Sequence, residues 1–373
     1  MTAPFTPLVA SLPATVPFVG PEAQERERGR VFAARIGANE NVFGPSPLAI
    51  EAMRAEAPFV WQYGDPTNFD LRNALAAHHG VPGEGIVIGE GIDSLLGLTV
   101  RAFVSPGDRV VTSAGAYPTF NYHVAGFGGE LVTVPYAGDH EDPEGLIAKA
   151  AEVGARLIFI ANPDNPMGTW HDAARMQAMI DAVPDGCLLC LDEAYGGFAP
   201  MDTLPAWDVS DPRVIRFRTF SKAYGLAGMR IGYAITAPAI ATGFDRVRNH
   251  FGVNRLAQAG ALAALADQEY LAAMRVQVEL ARVRIEEVAA ANGLTTLPSA
   301  TNFVAVDCGR DGAFARRVLA GLIARDVFVR MPGVAPLDRC IRIGCAPEAE
   351  MHLFEAALPS ALADAMAATA DAA

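Results

Sequence analysis

Between residues 85 and 235 short apolar runs alternate with helix-like segments, and this alternation constrains the fold more than any other feature. The runs are Gly85–Gly89, Arg109–Ser113, Glu130–Val134, Leu157–Ala161, Cys187–Leu191, Val214–Arg218 and Arg230–Ile235. Strands spaced by helices predict a mostly parallel sheet with helices on both faces, an α/β architecture. In such sheets ligands bind beyond the carboxyl ends of the strands, so the polar residues just after each run carry the most weight. From about Glu269 the pattern changes to a long helix, Tyr270–Ala291, closed by Asn292-Gly293. Strands are expected at Asn302–Val306 and Val327–Arg330 around a helix Ala313–Ala324, followed by a strand Cys340–Gly344. This reads as a smaller α+β domain. The expected division is an arm over 1–34, a large domain over 35–260 and a small domain over 261–373. Met1–Gly20, with four prolines, reads as an extended arm, and the alanine-rich Ala361–Ala373 is expected to fray.

A length of 373 residues suits about two domains. With 51% apolar and 19% charged residues the chain can bury a large core, which excludes global disorder. A net charge of -13 repels phosphodiester backbones and argues against nucleic-acid binding. Mean hydropathy is +0.21, yet no apolar run is long enough to span a membrane. The first residues lack the basic start and apolar stretch of a secretory signal, so a cytoplasmic protein is expected. Cysteine usage agrees. The five cysteines are odd in number, and Cys187-x-x-Cys190 lies in a strand-like run with no second pair or His cluster. Buried thiols are expected, with neither disulfides nor a metal site. Of the 29 basic residues only two are lysines, Lys149 and Lys222. Any chemistry that needs an amine nucleophile has two candidates.

Four strand ends hold the polar residues that matter. Glu90-Gly91-Ile92-Asp93-Ser94 opens a helix, whose free N–H groups and dipole suit a phosphate. Thr219, Ser221 and Arg230 add hydroxyls and a guanidinium fork. Asp192 is expected to be buried at the sheet's end, where it needs a cationic partner such as a protonated ring nitrogen. Asn165 and Tyr195 suit a phenolate-like oxygen, Tyr117 suits stacking on a ring, and Lys222 supplies the amine. A phosphate, a pyridinium, a phenolate and an aldehyde awaiting an amine together describe pyridoxal 5′-phosphate.

Ala38-Asn-Glu-Asn41 with Gly44-Pro-Ser-Pro47, Asn165-Pro-Met-Gly168, Asp192-Glu-Ala-Tyr195 and Ser221-Lys222-Ala-Tyr-Gly-Leu-Ala-Gly-Met-Arg230 resemble the class I/II aminotransferases, within them the histidinol-phosphate branch. The match runs from about Arg35 to Gly344. It implies the type I fold of pyridoxal-phosphate enzymes: a seven-stranded large domain, and a small domain completed by N-terminal residues. It also implies a homodimer with shared active sites, acting on a small amino donor and a 2-oxo acid. By position, Lys222 is the lysine that bonds the cofactor's aldehyde and carries the proton, Asp192 holds the ring nitrogen, and Asn165 and Tyr195 bind the ring hydroxyl. Tyr117 stacks on the ring, and Gly91, Ile92, Asp93, Thr219, Ser221 and Arg230 hold the phosphate. Tyr63 resembles the tyrosine that reaches the partner subunit's cofactor, Arg342 the arginine that binds the substrate's anionic group, and Asn39 a residue that orients substrate.

Simpler readings compete for single residues. Lys149 reads as a surface lysine, Glu193 as structural, and His78-His79 as a helix end. Asp192 alone would pass for a helix cap, Arg342 for a strand's solvent face, and Tyr63 and Tyr117 for ordinary packing. Gly89-Glu-Gly91 approaches a dinucleotide fingerprint but lacks its third glycine and its acid, so a nicotinamide dehydrogenase is the weaker reading. A DNA-binding regulator would need an additional basic domain. Two departures from the histidinol-phosphate pattern bear on the substrate. Asp164 and Met167 stand where Asn and Thr are expected, and Phe18 falls where a tyrosine usually meets the substrate's phosphate. These leave open an aromatic amino-acid aminotransferase, with Phe18, Phe120, Tyr122 and His123 either lining its pocket or simply core. A phospho-amino-acid decarboxylase is a third possibility.

Overall fold

A computed structural model describes residues 4–14 and 19–370. Among these residues are twelve strands. They are β1 Ala34–Arg35, β2 Ile86–Gly89, β3 Arg109–Ser113, β4 Glu130–Val134, β5 Leu157–Ala161 and β6 Leu188–Asp192. Then follow β7 Val214–Thr219, β8 Gly232–Thr236, β9 Thr295–Thr296, β10 Phe303–Asp307, β11 Val327–Phe328 and β12 Cys340–Gly344. Seven form one sheet in the order β2-β8-β7-β6-β5-β3-β4. Only β8 runs antiparallel to its neighbours β2 and β7. The type I fold expected from the resemblance is therefore the fold observed.

Strand alternation explains why this sheet needs cover on both faces. Val110, Leu157, Phe159, Cys190, Ile215 and Phe217 pack on one face against helices Gly91–Phe103, Pro118–Gly126 and Pro238–Asp245. Val111, Ile158, Ile160, Leu189 and Leu191 pack on the other against Pro143–Val153 and Ala173–Asp181. Each fully buried Leu, Ile or Phe contributes roughly 1.5–3 kcal/mol. Cys187 and Cys190 are buried, as expected, in opposite packing layers, and the other three thiols are buried as well. Phe120 is fully enclosed and stacks on Phe159 at 4.4 Å, so it is core and not pocket lining. A third layer joins Pro47–Glu56, Phe69–His79 and Arg255–Ala266 to β2 and β8.

A second core gathers β10 and β12 with the helices Gln268–Ala291, Gly312–Ala324 and Glu348–Ala370. The N-terminal β1 joins it by pairing with β11, Ala34 opposite Val327. Two expectations are corrected here. Residues 361–370 do not fray. They continue a helix, and Ala361, Leu362 and Ala365 are buried because small residues let it approach closely. A Cβ built on Gly321 would lie 2.9 Å from Ala361. The arm is not simply extended either: Pro7–Ser11 and Pro21–Arg28 are helical, each with its proline in the first turn, where the missing N–H costs nothing. Phe18 lies outside the described residues. The last sheet strand begins at Gly232 rather than Arg230, because Arg230 turns into the left-handed region at φ 55°.

Candidate active site

The carboxyl ends of β2, β3, β5, β6 and β7 share one edge of the large sheet, and the reversed β8 begins there. Lys222 leaves that edge just after β7. Its Nζ donates to the backbone oxygen of Asn39 at 2.9 Å and lies 5.5 Å from the Tyr195 ring centroid. Asn39 is held at φ 57°, and its Nδ2 donates to Tyr195 Oη at 2.9 Å. The segment around it is clamped by Asn302 Nδ2 on the Glu40 carbonyl and by Asn41 Nδ2 on the Ala223 carbonyl. Asn39 Oδ1 is buried without a partner.

Asp192 closes β6. It is buried and accepts one hydrogen bond, from Ala194 N at 2.8 Å. Burial pushes its carboxyl up to about 7. The backbone bond and Lys222 work in the other direction, while Asp93 and Glu193 add to the rise. It is no helix cap, because a turn and not a helix follows β6. Glu193, beside it, is fully buried between Arg216 and Arg218, each at 2.7 Å, as its structural reading requires.

The anion cradle assembles at β2, β7 and β8. Gly91 opens its helix at φ 82°, and a Cβ there would sit 2.5 Å from the Arg230 guanidinium. Only glycine admits that approach. Gly232 pairs with both Gly89 and Thr219, and a Cβ there would lie 2.9 Å from the Arg218 carbonyl oxygen and 3.1 Å from Ile92 N. Two close glycines, Gly91 and Gly232, thus bring Ile92, Thr219 and Arg230 together. Ser221 is buried and its N–H donates to Thr219 Oγ1 at 3.0 Å. Tyr117 Oη donates to Asp93 Oδ1 at 2.8 Å. Burial and then Asp93 hold that phenol above its usual range.

Arg342 lies on β12, opposite Ala305, and is buried rather than solvent-facing. Its Nη1 donates to Asn165 Oδ1 at 2.5 Å, its guanidinium carbon stands 5.0 Å from the Phe303 ring centroid, and its Nε has no partner. Burial, then Arg330, lowers it to about 10. Asn165 is presented by the turn after β5, where Asp164 accepts from Met167 N at 3.1 Å and donates its own N–H to the Thr169 carbonyl. Tyr63 stands apart: it is 78% exposed and packs on Phe251 at 4.7 Å, without described contact to the rest. Lys149 pairs with Glu152 at 2.6 Å on an outer helix, as a surface lysine does.

Sequence reasoning missed Tyr136 and Glu141, which sit behind Asn165. They lie in an aperiodic loop after β4 and carry no motif. Only the Asp at position 164 hinted at something unusual there.

A half-buried amine, a buried acid with no ion pair among the described residues and a glycine-lined turn beside an arginine meet at one sheet edge, an arrangement that suits group transfer. The family model "Aminotransferase class I and II" matches residues 34–357, and the chain belongs to that family. Similar relatives include a histidinol-phosphate aminotransferase of an Anaeromyxobacter species, 41% identical over 86% of this chain and 90% of its own. Histidinol-phosphate aminotransferase 2 of Pseudomonas aeruginosa is 36% identical over 96% and 97%. Among solved structures, the histidinol-phosphate aminotransferase of Sinorhizobium meliloti in complex with pyridoxal-5′-phosphate is 55% identical with a TM-score of 0.95, covering 97% of this chain and 98% of that one.

Proposed function

We propose that this aminotransferase uses pyridoxal 5′-phosphate to move the amino group of histidinol phosphate to 2-oxoglutarate. The observation that carries the reading is the placement of Lys222, one of two lysines in the chain, beside Tyr195 and within the field of Asp192. The residues fit the cofactor. Asp192 lacks the cation its burial demands, Gly91 lets the Arg230 guanidinium stand against the helix start, and Asn39 Oδ1 and Arg342 Nε are buried without partners.

When bound, the cofactor supplies an electron sink for the charge left at the substrate's Cα. The chain supplies the rest. Lys222 Nζ takes the Cα proton and returns it. Asp192 keeps the ring nitrogen protonated, and Tyr195 and Asn165 hydrogen-bond the ring oxygen. Tyr117 covers the ring, tied in place through Asp93. The Gly91 helix start, Thr219, Ser221 and Arg230 grip the phosphate. Arg342 takes the substrate's anionic group, and Asn39 orients it. We further propose a homodimer in which exposed Tyr63 reaches the partner's cofactor, a cytoplasmic location, and a division into arm 1–34, large domain 35–260 and small domain 261–373. No described helix is long and apolar enough to cross a membrane.

The test is the visible absorption spectrum of purified protein, before and after histidinol phosphate, phenylalanine or glutamate. A yellow band bleached at the lowest concentration by histidinol phosphate is expected. Bleaching by phenylalanine alone would move the assignment to an aromatic donor, and no band with added cofactor would end the reading. Lys222→Ala should lower turnover by about three decades or more while cofactor still binds non-covalently.

A further inference from the structure

Behind Asn165 and Arg342 lie two acids that the roles above leave unused. Glu141 follows β4 in a loop, and Asp164 directly precedes Asn165. Each is 2% exposed. Their carboxyls are hydrogen-bonded to one another, which requires that one of them carry a proton. Their neighbours decide which. Asp164 accepts from Tyr136 Oη at 3.0 Å and from Met167 N at 3.1 Å, and Arg342 favours its charged form. Glu141 accepts from Ser113 Oγ at 2.5 Å and from Ala161 N at 2.9 Å, and its described side-chain contacts include no cation. Its backbone oxygen accepts from His171 Nε2 at 2.8 Å. His171 Nδ1 faces Arg175 at 3.1 Å, which fixes a neutral imidazole with its proton on Nε2.

We infer that Glu141 holds one proton for the pair while Asp164 keeps the charge, and that the two are positioning residues for Arg342. They provide a fixed anion that anchors the Asn165 turn and tempers the pull of the guanidinium on a carboxylate ligand. This rests on the reading of Arg342 as the ligand-holding arginine.

Burial pushes Asp164 up to about 7 and Glu141 well above its ordinary value, so the pair keeps at least one proton through the neutral range and Asp164 gives up its own as pH rises through about 7. The other titratable or charged groups around the pair are Tyr136, Arg342, His140, His171 and Arg175. Arg175 is itself neutralised by Glu144, and neighbouring Asp139 by Arg339. An asparagine at position 164 cannot carry the charge. It would leave the charge on Glu141, one side chain farther from Arg342.

The experiment uses Glu141→Gln and Asp164→Asn. In the infrared spectrum of the cofactor-free protein at about pH 8, where Asp164 is largely ionised, a protonated-carboxyl stretch is expected that Glu141→Gln removes. Asp192→Asn provides the background for the other raised acid. In the holoenzyme, Glu141→Gln still donates to Asp164 and should change KM for 2-oxoglutarate less than Asp164→Asn does. Asp164→Asn should lower KM for 2-oxoglutarate about three- to tenfold with kcat nearly unchanged, because the anion beside Arg342 has moved away. A merely structural role would raise KM in both variants. No infrared band lost in Glu141→Gln, or a raised KM in Asp164→Asn, overturns the inference. The infrared result needs neither cofactor nor turnover, so it stands or falls separately from the proposed activity.

Discussion

Asp192 and Glu193 are consecutive, both buried at the end of β6, yet their surroundings differ in the one respect that matters. Glu193 lies between Arg216 and Arg218, whose guanidinium carbons stand 3.9 and 5.2 Å from the Trp207 ring centroid. Arg216 also donates to the Pro205 and Ala206 carbonyls, so its donors are well used. Asp192 has one backbone N–H and a lysine turned toward Asn39. The first acid is completed by the protein; the second has no such counter-charge, which is what its proposed role at the ring nitrogen asks for. Where burial and satisfaction go together a charge serves the fold, and where they part it serves a ligand.

The contrast can be broken by exchanging the roles. Asp192→Asn should cut kcat by about two to four decades while leaving the melting temperature of the cofactor-free protein unchanged or higher. If turnover survived, the difference between the two acids would have no functional meaning. Glu193→Gln should do the reverse, losing about 3–5 kcal/mol of stability in denaturant titration because two buried arginines lose their counter-charge. A stable Glu193→Gln protein would show that the arginines, not the acid, complete that region.

A pH series sharpens the same point. The folded cofactor-free protein keeps a proton on Asp192 up to about 7, whereas the unfolded chain releases it near its ordinary value. The associated stability is fully present below that ordinary value and is lost as pH rises through about 7. Thermal unfolding between pH 5 and 8 should therefore fall less steeply in Asp192→Asn than in the parent. The smallest effect belongs to the other lysine. Lys149→Ala breaks only an exposed pair with Glu152 and should change stability by less than about 0.5 kcal/mol, with activity intact.

Much of this architecture was legible before any coordinates, because a parallel sheet writes itself as apolar runs and places its ligand groups after them. That Lys222, Asp192, Asn165 and Gly91 follow strand ends at one sheet edge could be read from position alone. What could not be read is contact across long sequence separations. That Arg342 grips Asn165, or that Asn39 caps both Tyr195 and Lys222, depends on how β12 and the residues ahead of the large sheet are carried over its edge. Glu141 was invisible because a loop acid has no period, and only burial reveals that its proton matters. The helical end of the chain was misread because alanine signals weak packing by composition, whereas against Gly321 its smallness is what permits close packing.

The lone reversed strand has a mechanical consequence. Because β8 returns from the same edge at which β7 leaves, Lys222 and Arg230 ride on one loop whose ends are locked by the pairing of Thr219 with Gly232. The loop is pinned midway as well, where Gly225 at φ 71° would place a Cβ 2.6 Å from the Gly44 carbonyl. The segment works as a caliper whose jaws are the amine and the guanidinium and whose opening is set by chain length. With the roles proposed above, a single residue added between them would lengthen the gauge and spoil its fit to a rigid ring and phosphate. Comparable insertions in the outer helical layers would leave the measurement untouched.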